Sequence, residues 1–354
     1  MEKIMIELTK NPKNKPDSKN LGFGKYFSDH MFVMDYDTGK GWHNPRIVPY
    51  GPFSIEPSAM VLHYAQEIFE GLKAYRRADG RVQLFRPWDN IRRMNNSAER
   101  LSIPKVDEEL VLEAMKQLVR IDIDWVPSDP ETSLYIRPFI FANEPHVGVH
   151  SSNKYIFCII TSPVGAYYPE GMNPVKIFVE SRDVRTVRGG TGSAKTGGNY
   201  AATLRAGEEA GKRGFSQVLW LDGIHRKYIE EVGSMNVWFK INGKIITPPL
   251  EGTILPGITR ASCIDILNHW GIPISERLIT IDELIESAHK GLLEEAWGSG
   301  TAAVISPIGE IFYKDERFIV NEGKTGPLTG KLYDYLTAIQ WGKTEDPFSW
   351  TVIL

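Results

Sequence analysis

The stretch Gly189-Gly190-Thr191-Gly192-Ser193-Ala194-Lys195-Thr196-Gly197-Gly198-Asn199-Tyr200 decides how the chain is read. Five of its twelve residues are glycine, and one lysine stands between the two glycine clusters. Glycine opens backbone conformations closed to other residues and lets a ligand approach the main chain closely. A lysine held on such a loop can be desolvated, which makes its neutral amine a nucleophile. An isolated Gly-rich loop is more often a solvated surface turn, so the rest of the chain has to decide. The same stretch comes within one residue of a phosphate-binding G-x-x-x-x-G-K-[ST] loop, with Ala194 in place of the second glycine. That reading is disfavoured. Gly197-Gly198 would weaken the helix start such a loop needs, and no apolar run ending in a magnesium-binding aspartate stands out downstream.

Working outward, 354 residues suit two domains. Hydrophobic content of 42% and charged content of 24% are those of a soluble globular protein. A formal net charge of −3 gives no reason to expect nucleic acid or an anionic membrane as partner. No apolar run approaches the roughly 18 residues of a membrane span. Residues 1–19 are polar and lysine-rich with no apolar signal core, so a cytoplasmic location is expected. Cys158 and Cys263 lie far apart in apolar runs and read as buried thiols. The histidines show no ligand spacing, and no metal is expected.

In the first half, a strand is expected over 31–36, and Asp79-Gly80 marks a hairpin between 72–75 and 82–85. Helices are expected over 90–101 and after an Asp107 cap, with Val111, Ala114, Met115, Leu118 and Val119 at helical spacing. Buried strands follow at 134–141 and 155–161. The Pro/Gly-rich run PVGAYYPEGMNP then suggests a connection, giving domains at 1–163 and 176–354 with a linker at 164–175. The second half reads as a strand at 175–179, a helix over 201–212 closed by Gly214, and a strand at 218–221. A hairpin about Asn242-Gly243 joins 235–241 to 244–247, and helices are expected at 258–270, 281–292 and 331–339. A further hairpin is expected between 302–306 and 310–313. Helices and strands do not alternate regularly, so the fold is α+β rather than a Rossmann sheet or a TIM barrel.

Three further stretches could carry chemistry. Glu231, in YIEEVGSMN, sits among apolar residues where a carboxylate needs a cationic partner, while its neighbour Glu230 reads as a solvated strand-entry residue. Leu255-Pro256-Gly257-Ile258-Thr259-Arg260 opens a helix whose amides suit a phosphate, although an ordinary helix start has the same sequence. Gly298-Ser299-Gly300-Thr301-Ala302 supplies more bare amides and a hydroxyl. A lysine, a carboxylate and two anion seats match the demands of pyridoxal 5'-phosphate.

The motifs FEGLKAY, LFRPWDNIRRM, SLYIRPF, NEPHVGV, PVGAYY, AKTGGNY, QVLWLDG, EEVGSMN, LPGITR and GSGTAA cover nearly the whole chain. Through them it resembles the branched-chain amino acid aminotransferases, pyridoxal-phosphate enzymes of fold type IV. The resemblance implies a smaller N-terminal α/β domain and a larger C-terminal domain with a pseudo-barrel of strands. It implies transfer of the amino group of leucine, isoleucine or valine to 2-oxoglutarate, within branched-chain amino acid biosynthesis. Lys195 would hold the cofactor as a Schiff base and shuttle the proton. Tyr200 would bond the phenolate oxygen, and Glu231 would keep the pyridine nitrogen protonated. Arg93, the Ile258 and Thr259 amides and the Thr301 hydroxyl would hold the phosphate, with Arg92 a helix-surface charge.

On the substrate side the resemblance implies an aromatic box of Phe23, Tyr64, Phe69, Tyr135 and Tyr167, with Ser234 and Ala302 near the carboxylate. Arg137 would orient Tyr64 or assist the carboxylate. Tyr64 and Val149 would reach in from the second subunit of a homodimer. Judged without the resemblance, each aromatic is more readily an ordinary core residue. Mammalian relatives carry a C-x-x-C pair where this chain has Ala303 and Ser306, so a thiol switch there is not expected. Ser234 stands where the family often has threonine. A D-amino acid aminotransferase and an aminodeoxychorismate lyase share the fold and cofactor but are shorter, and a non-catalytic protein retaining the fold is the rival from another class.

Overall fold

Asn242 and Gly243 both adopt positive φ, 47° and 72°, the backbone that a tight two-residue turn between antiparallel strands requires. They fold the strand Met235–Ile241 onto Lys244–Thr247, in the register Ile241↔Lys244 and Phe239↔Ile246. The computed structural model describes residues 3–165 and 172–354. The chain divides into two compact units. One comprises Met1–Tyr167 with Ala194–Gly197 and Ala338–Leu354, the other Tyr168–Ser193 with Gly198–Thr337.

The first unit is built on a nine-stranded sheet. Its long central strands are His30–Asp37, Lys154–Val164 and Ser133–Ala142, paired antiparallel, with Leu72–Arg76 and Val82–Phe85 beyond them. The short strand Glu67–Phe69 also pairs with Ser133–Ala142, through Phe69↔Phe139. Two helices, Pro87–Arg100 and Glu108–Ile121, share an apolar core with the sheet: Ile91, Met94, Ala114 and Leu118 are buried with Phe32, Ile136 and Phe157. Asp107 caps the second helix, its Oδ1 accepting from the Leu110 amide at 2.7 Å.

In the second unit six strands close on themselves. Ile229–Val232, Gln217–Leu221, Val175–Val179, Val304–Tyr313, Leu293–Gly300 and Met235–Ile241 pair in that order, and the last pairs back onto the first through Glu231↔Asn236. This is the barrel of strands that the resemblance implies, and the α+β class holds. Apolar side chains from different strands make its core: Ile177, Leu219, Val237 and Ile311 are fully buried in one cluster.

Four local expectations fail. The hairpin expected between 302–306 and 310–313 is one strand, Val304–Tyr313. Gly309 falls inside a register shift between Ile308 and Glu310 against Val175–Val179, with Pro307 just before it, and there is no turn. The helix expected over 201–212 is two, Gly197–Ala201 and Leu204–Lys212. Thr203 interrupts it, its hydroxyl donating to the Tyr200 carbonyl at 2.7 Å. The two glycines expected to weaken a helix start do open a helix, of only five residues. Glu230 is not solvated: it lies in the strand Ile229–Val232 and is only 6% exposed.

Candidate active site

The helix Pro87–Arg100 places Asn90, Arg93 and Ser97 on one face, because residues three and four apart are neighbours on a helix. All three are buried, and this polar stripe organises the first unit's cluster. Glu70 receives Arg93 Nε at 2.7 Å on Oε1, and Arg93 Nη2 at 2.9 Å and Asn90 Nδ2 at 2.7 Å on Oε2. The Gly71 amide adds a fourth bond at 3.1 Å. Burial alone would raise the Glu70 pKa, but the Arg93 charge, these bonds and the Lys195 charge hold it below the ordinary range. Ser97 Oγ accepts from the Lys195 amide at 2.9 Å, and the Lys195 carbonyl accepts from the Phe69 amide at 3.0 Å.

Lys195 is thus fixed at both backbone ends, and its half-buried side chain sets Nζ 4.7 Å from the Phe69 ring centre. Glu67 secures the next two residues. It accepts from the Gly197 amide, and its backbone carbonyl accepts from Thr196 Oγ1 at 2.8 Å. Burial pushes the Glu67 carboxyl up. On the same wall, the Arg137 guanidinium lies 4.7 Å from the Phe69 ring and 5.2 Å from that of Tyr135, and donates from Nη2 to Tyr135 Oη at 2.9 Å. Arg137 therefore orients Tyr135. Phe23 meets Tyr135 edge-on at 4.9 Å. Tyr64 is half-buried against the apolar core, and Val149 is 86% exposed. Lys73 lies opposite Tyr135 in the sheet register, and burial lowers its ammonium to about 8. Arg92 lies on the helix surface beside Asp89 and Glu108. Tyr167 falls outside the described residues.

The second unit carries the other residues. Glu231 is buried and ion-paired, Oε2 lying 2.7 Å from Arg185 Nε, while Asn236 Nδ2 donates to its Oε1 at 3.2 Å. Asn236 Nδ2 also donates to the Leu255 carbonyl at 3.0 Å. That carbonyl leads into Gly257, where a Cβ would collide with Asn236 Oδ1, so only glycine fits. The helix Ile258–His269 starts at Gly257 with no side-chain cap, which leaves its first amides for an anion. Ile258 and Thr259 are these residues. Thr301 and Ala302 lie in the turn from Leu293–Gly300 to Val304–Tyr313, whereas Gly298 to Gly300 belong to the first strand. Ser234 is exposed in the two-residue turn between Val232 and Met235. Tyr200 is half-buried in the helix Gly197–Ala201, and Asn199 ties the loop base by bonding Thr191 twice, at 2.7 and 2.8 Å. Among the described residues no cluster suits a metal ion, and no helix is long and apolar enough to cross a membrane.

Glu67, Glu70, Ser97, Arg185 and Asn236 escaped the sequence reading. The shared helical face of Asn90, Arg93 and Ser97 was a usable signal. Nothing local marked Arg185.

The fold is that of the class IV aminotransferases, and the chain belongs to that family, matching Amino-transferase class IV over residues 67–311. It is 60% identical to branched-chain-amino-acid aminotransferase 2 of Bacillus subtilis over 348 residues, 98% of this chain and 96% of that one. Its structure resembles the branched-chain amino acid aminotransferase of Escherichia coli, with TM-score 0.76 and 26% identity, covering 91% of this chain and 98% of that one. Another branched-chain amino acid aminotransferase, solved with pyridoxamine 5'-phosphate, gives TM-score 0.75 and 27% identity over 90% of this chain and 97% of that one. The fold is fold type IV.

Proposed function

We propose that this chain is a branched-chain amino acid transaminase, moving the amino group of leucine, isoleucine or valine to 2-oxoglutarate and back. The observation that carries the reading is Lys195, backbone-fixed at both ends with its amine against Phe69, on the wall that holds the Tyr135 hydroxyl and the Arg137 guanidinium. Relatives that bear this activity in their names match over nearly their whole length, which favours it over a D-amino acid aminotransferase. The family implies pyridoxal phosphate, and the residues fit it: an uncapped helix start for the phosphate, and a buried carboxylate held by a cation for a protonated ring nitrogen.

When bound, the cofactor supplies a carbonyl carbon that exchanges amines and a ring that accepts the electron pair left by the departing α-proton. Lys195 Nζ would hold the cofactor and would act as the base that takes and returns the substrate α-proton. Arg185 and Asn236 fix Glu231, whose carboxylate would keep a proton on the pyridine nitrogen. Arg93, the amides of Ile258 and Thr259 and the Thr301 hydroxyl would bind the phosphate, and Tyr200 would donate to the phenolate oxygen. Phe23, Phe69, Tyr135 and Tyr167 wall the side chain, while Ser234 and Ala302 serve the carboxylate. Tyr64 and Val149 act from the second subunit of a homodimer; the exposure of Val149 within its own chain supports this. The absence of a membrane-crossing helix among the described residues agrees with a cytoplasmic enzyme.

The test is spectroscopic. Protein loaded with pyridoxal phosphate should absorb near the visible through the lysine-bound cofactor, and leucine should convert that spectrum. A spectrum indifferent to leucine rejects the reading.

A further inference from the structure

Gly71 is buried between the strands Glu67–Phe69 and Leu72–Arg76. Its φ is not positive, so no backbone conformation demands glycine there. Space does. A Cβ built on Gly71 would fall far inside contact distance of Tyr135 Oη, with Tyr135 Cζ at 2.8 Å and Cε2 at 3.2 Å. The Tyr135 hydroxyl therefore rests on the bare Cα of Gly71.

Both sides of this contact are held. The Gly71 amide donates to Glu70 Oε2 at 3.1 Å, and its carbonyl accepts from Asn90 Nδ2 at 3.1 Å. The Glu70 amide donates to the Pro138 carbonyl at 2.7 Å, so the peptide is moored at three points. Tyr135 is buried, its ring set edge-on to Phe23 and its Oη accepting from Arg137 Nη2 at 2.9 Å. An aromatic ring is rigid, so an added methyl would drive the hydroxyl back by on the order of 1 Å to reach ordinary contact. A shift of that size breaks a hydrogen bond.

A hydroxyl that accepts from a guanidinium keeps its own hydrogen to donate. Tyr135 and Arg137 together thus offer donors to a substrate's side-chain carboxylate. The Arg137 guanidinium and Lys195 Nζ each lie 4.7 Å from the Phe69 ring centre, which puts these donors on the wall that carries the amine. An apolar side chain packed on that wall needs no donor, whereas a carboxylate needs one at bonding distance.

We propose that Gly71 is a positioning residue for substrate specificity: its missing side chain seats the Tyr135 hydroxyl, and Glu70 and Asn90 hold the seat in place. The inference rests on the transaminase reading above. Gly71 acts through Tyr135 on glutamate and 2-oxoglutarate more than on leucine, and specificity is that difference.

Gly71→Ala tests it in two ways. In separate half-reactions of the holoenzyme, the apparent dissociation constant for glutamate should rise at least about tenfold relative to that for leucine. An equal change in both, as a general loosening of the fold would give, overturns the proposal. Adding Gly71→Ala to Tyr135→Phe should leave that variant's glutamate-to-leucine ratio within about twofold, because the hydroxyl is already gone. A further tenfold change there overturns it too. The second measure is melting of the holoenzyme without substrate. Gly71→Ala should lower Tm in the wild-type background, but not where Tyr135→Ala has removed the atoms it meets. If Gly71→Ala alone does not fold, recovery of the fold in the double variant supports the seat. Equal loss in both backgrounds overturns it. A wild type whose spectrum ignores leucine rejects the transaminase reading instead, and the melting comparison still tests the seat.

Discussion

Replacing Glu70 by glutamine should destabilise the protein more than any change on its surface. Glu70 and Arg93 expose 1% and 8% of their side chains, so water cannot take over from a lost partner. All four bonds to Glu70 come from donors. Glutamine would turn an NH₂ toward some of these and leave the Arg93 charge buried without compensation. Removing one partner of a buried pair costs about 3–5 kcal/mol. The 354 residues, at about 2.1 cal/mol/K each, give an unfolding entropy of about 0.7 kcal/mol/K, so Tm should fall by about 4–7 °C. Scanning calorimetry at neutral pH measures this directly. Because the folded pKa of Glu70 is depressed, its contribution is full above the ordinary glutamate range and fades as pH falls through the lower folded value. The gap between wild type and variant should therefore close in acid. Adding Arg93→Met to Glu70→Gln should restore part of the loss, since it removes the buried charge left without its partner. A Glu70→Gln Tm within about 1 °C of wild type, a change of about 0.7 kcal/mol, would refute the reasoning.

Lys195→Ala should abolish turnover while the fold survives, and activity within about tenfold of wild type, about 1.4 kcal/mol, would reject its role. Glu231→Gln should retain cofactor but slow α-proton removal in single-turnover kinetics, and an unchanged rate would transfer the role to another acid. Tyr135→Phe should impair the glutamate half-reaction more than the leucine half-reaction, because its hydroxyl and Arg137 together can meet a side-chain carboxylate; equal impairment argues against it. Glu67→Ala should lower kcat by about tenfold or more at little changed KM, because the turn carrying Lys195 loses the Gly197 anchor. Unchanged kcat would make that anchor dispensable.

What could be read from the sequence was what a few neighbouring residues determine. Asn242-Gly243 and Asp79-Gly80 each joined the strands expected of them, since positive φ is a local demand. The Asp107 cap and the helical spacing from Val111 to Val119 are equally local. Pro307 and Gly309 were misread because the same two residue types mark a turn or a bulge. The choice between them lies in Val175–Val179, a strand far away in sequence. Thr203 broke a periodic helix for the complementary reason: its hydroxyl found the Tyr200 carbonyl, a competition that apolar spacing does not register.

The site followed the same division. Motifs could name Lys195, Arg93 and Glu231, but not the groups that hold them, because those groups are chosen by tertiary pairing. Glu231 and Asn236 meet because their strands pair in that register, and Arg185 arrives from before the glycine loop with nothing local to mark it. Adjacent Glu230 and Glu231 looked alike and were assigned different environments, solvent for one and a cation for the other. Strand alternation does send them to opposite faces, but the barrel buries both. A face that a half-exposed strand would give to water is here covered by Ile254 and Thr253, so the pattern of two could predict that the carboxylates diverge, but not that both are buried.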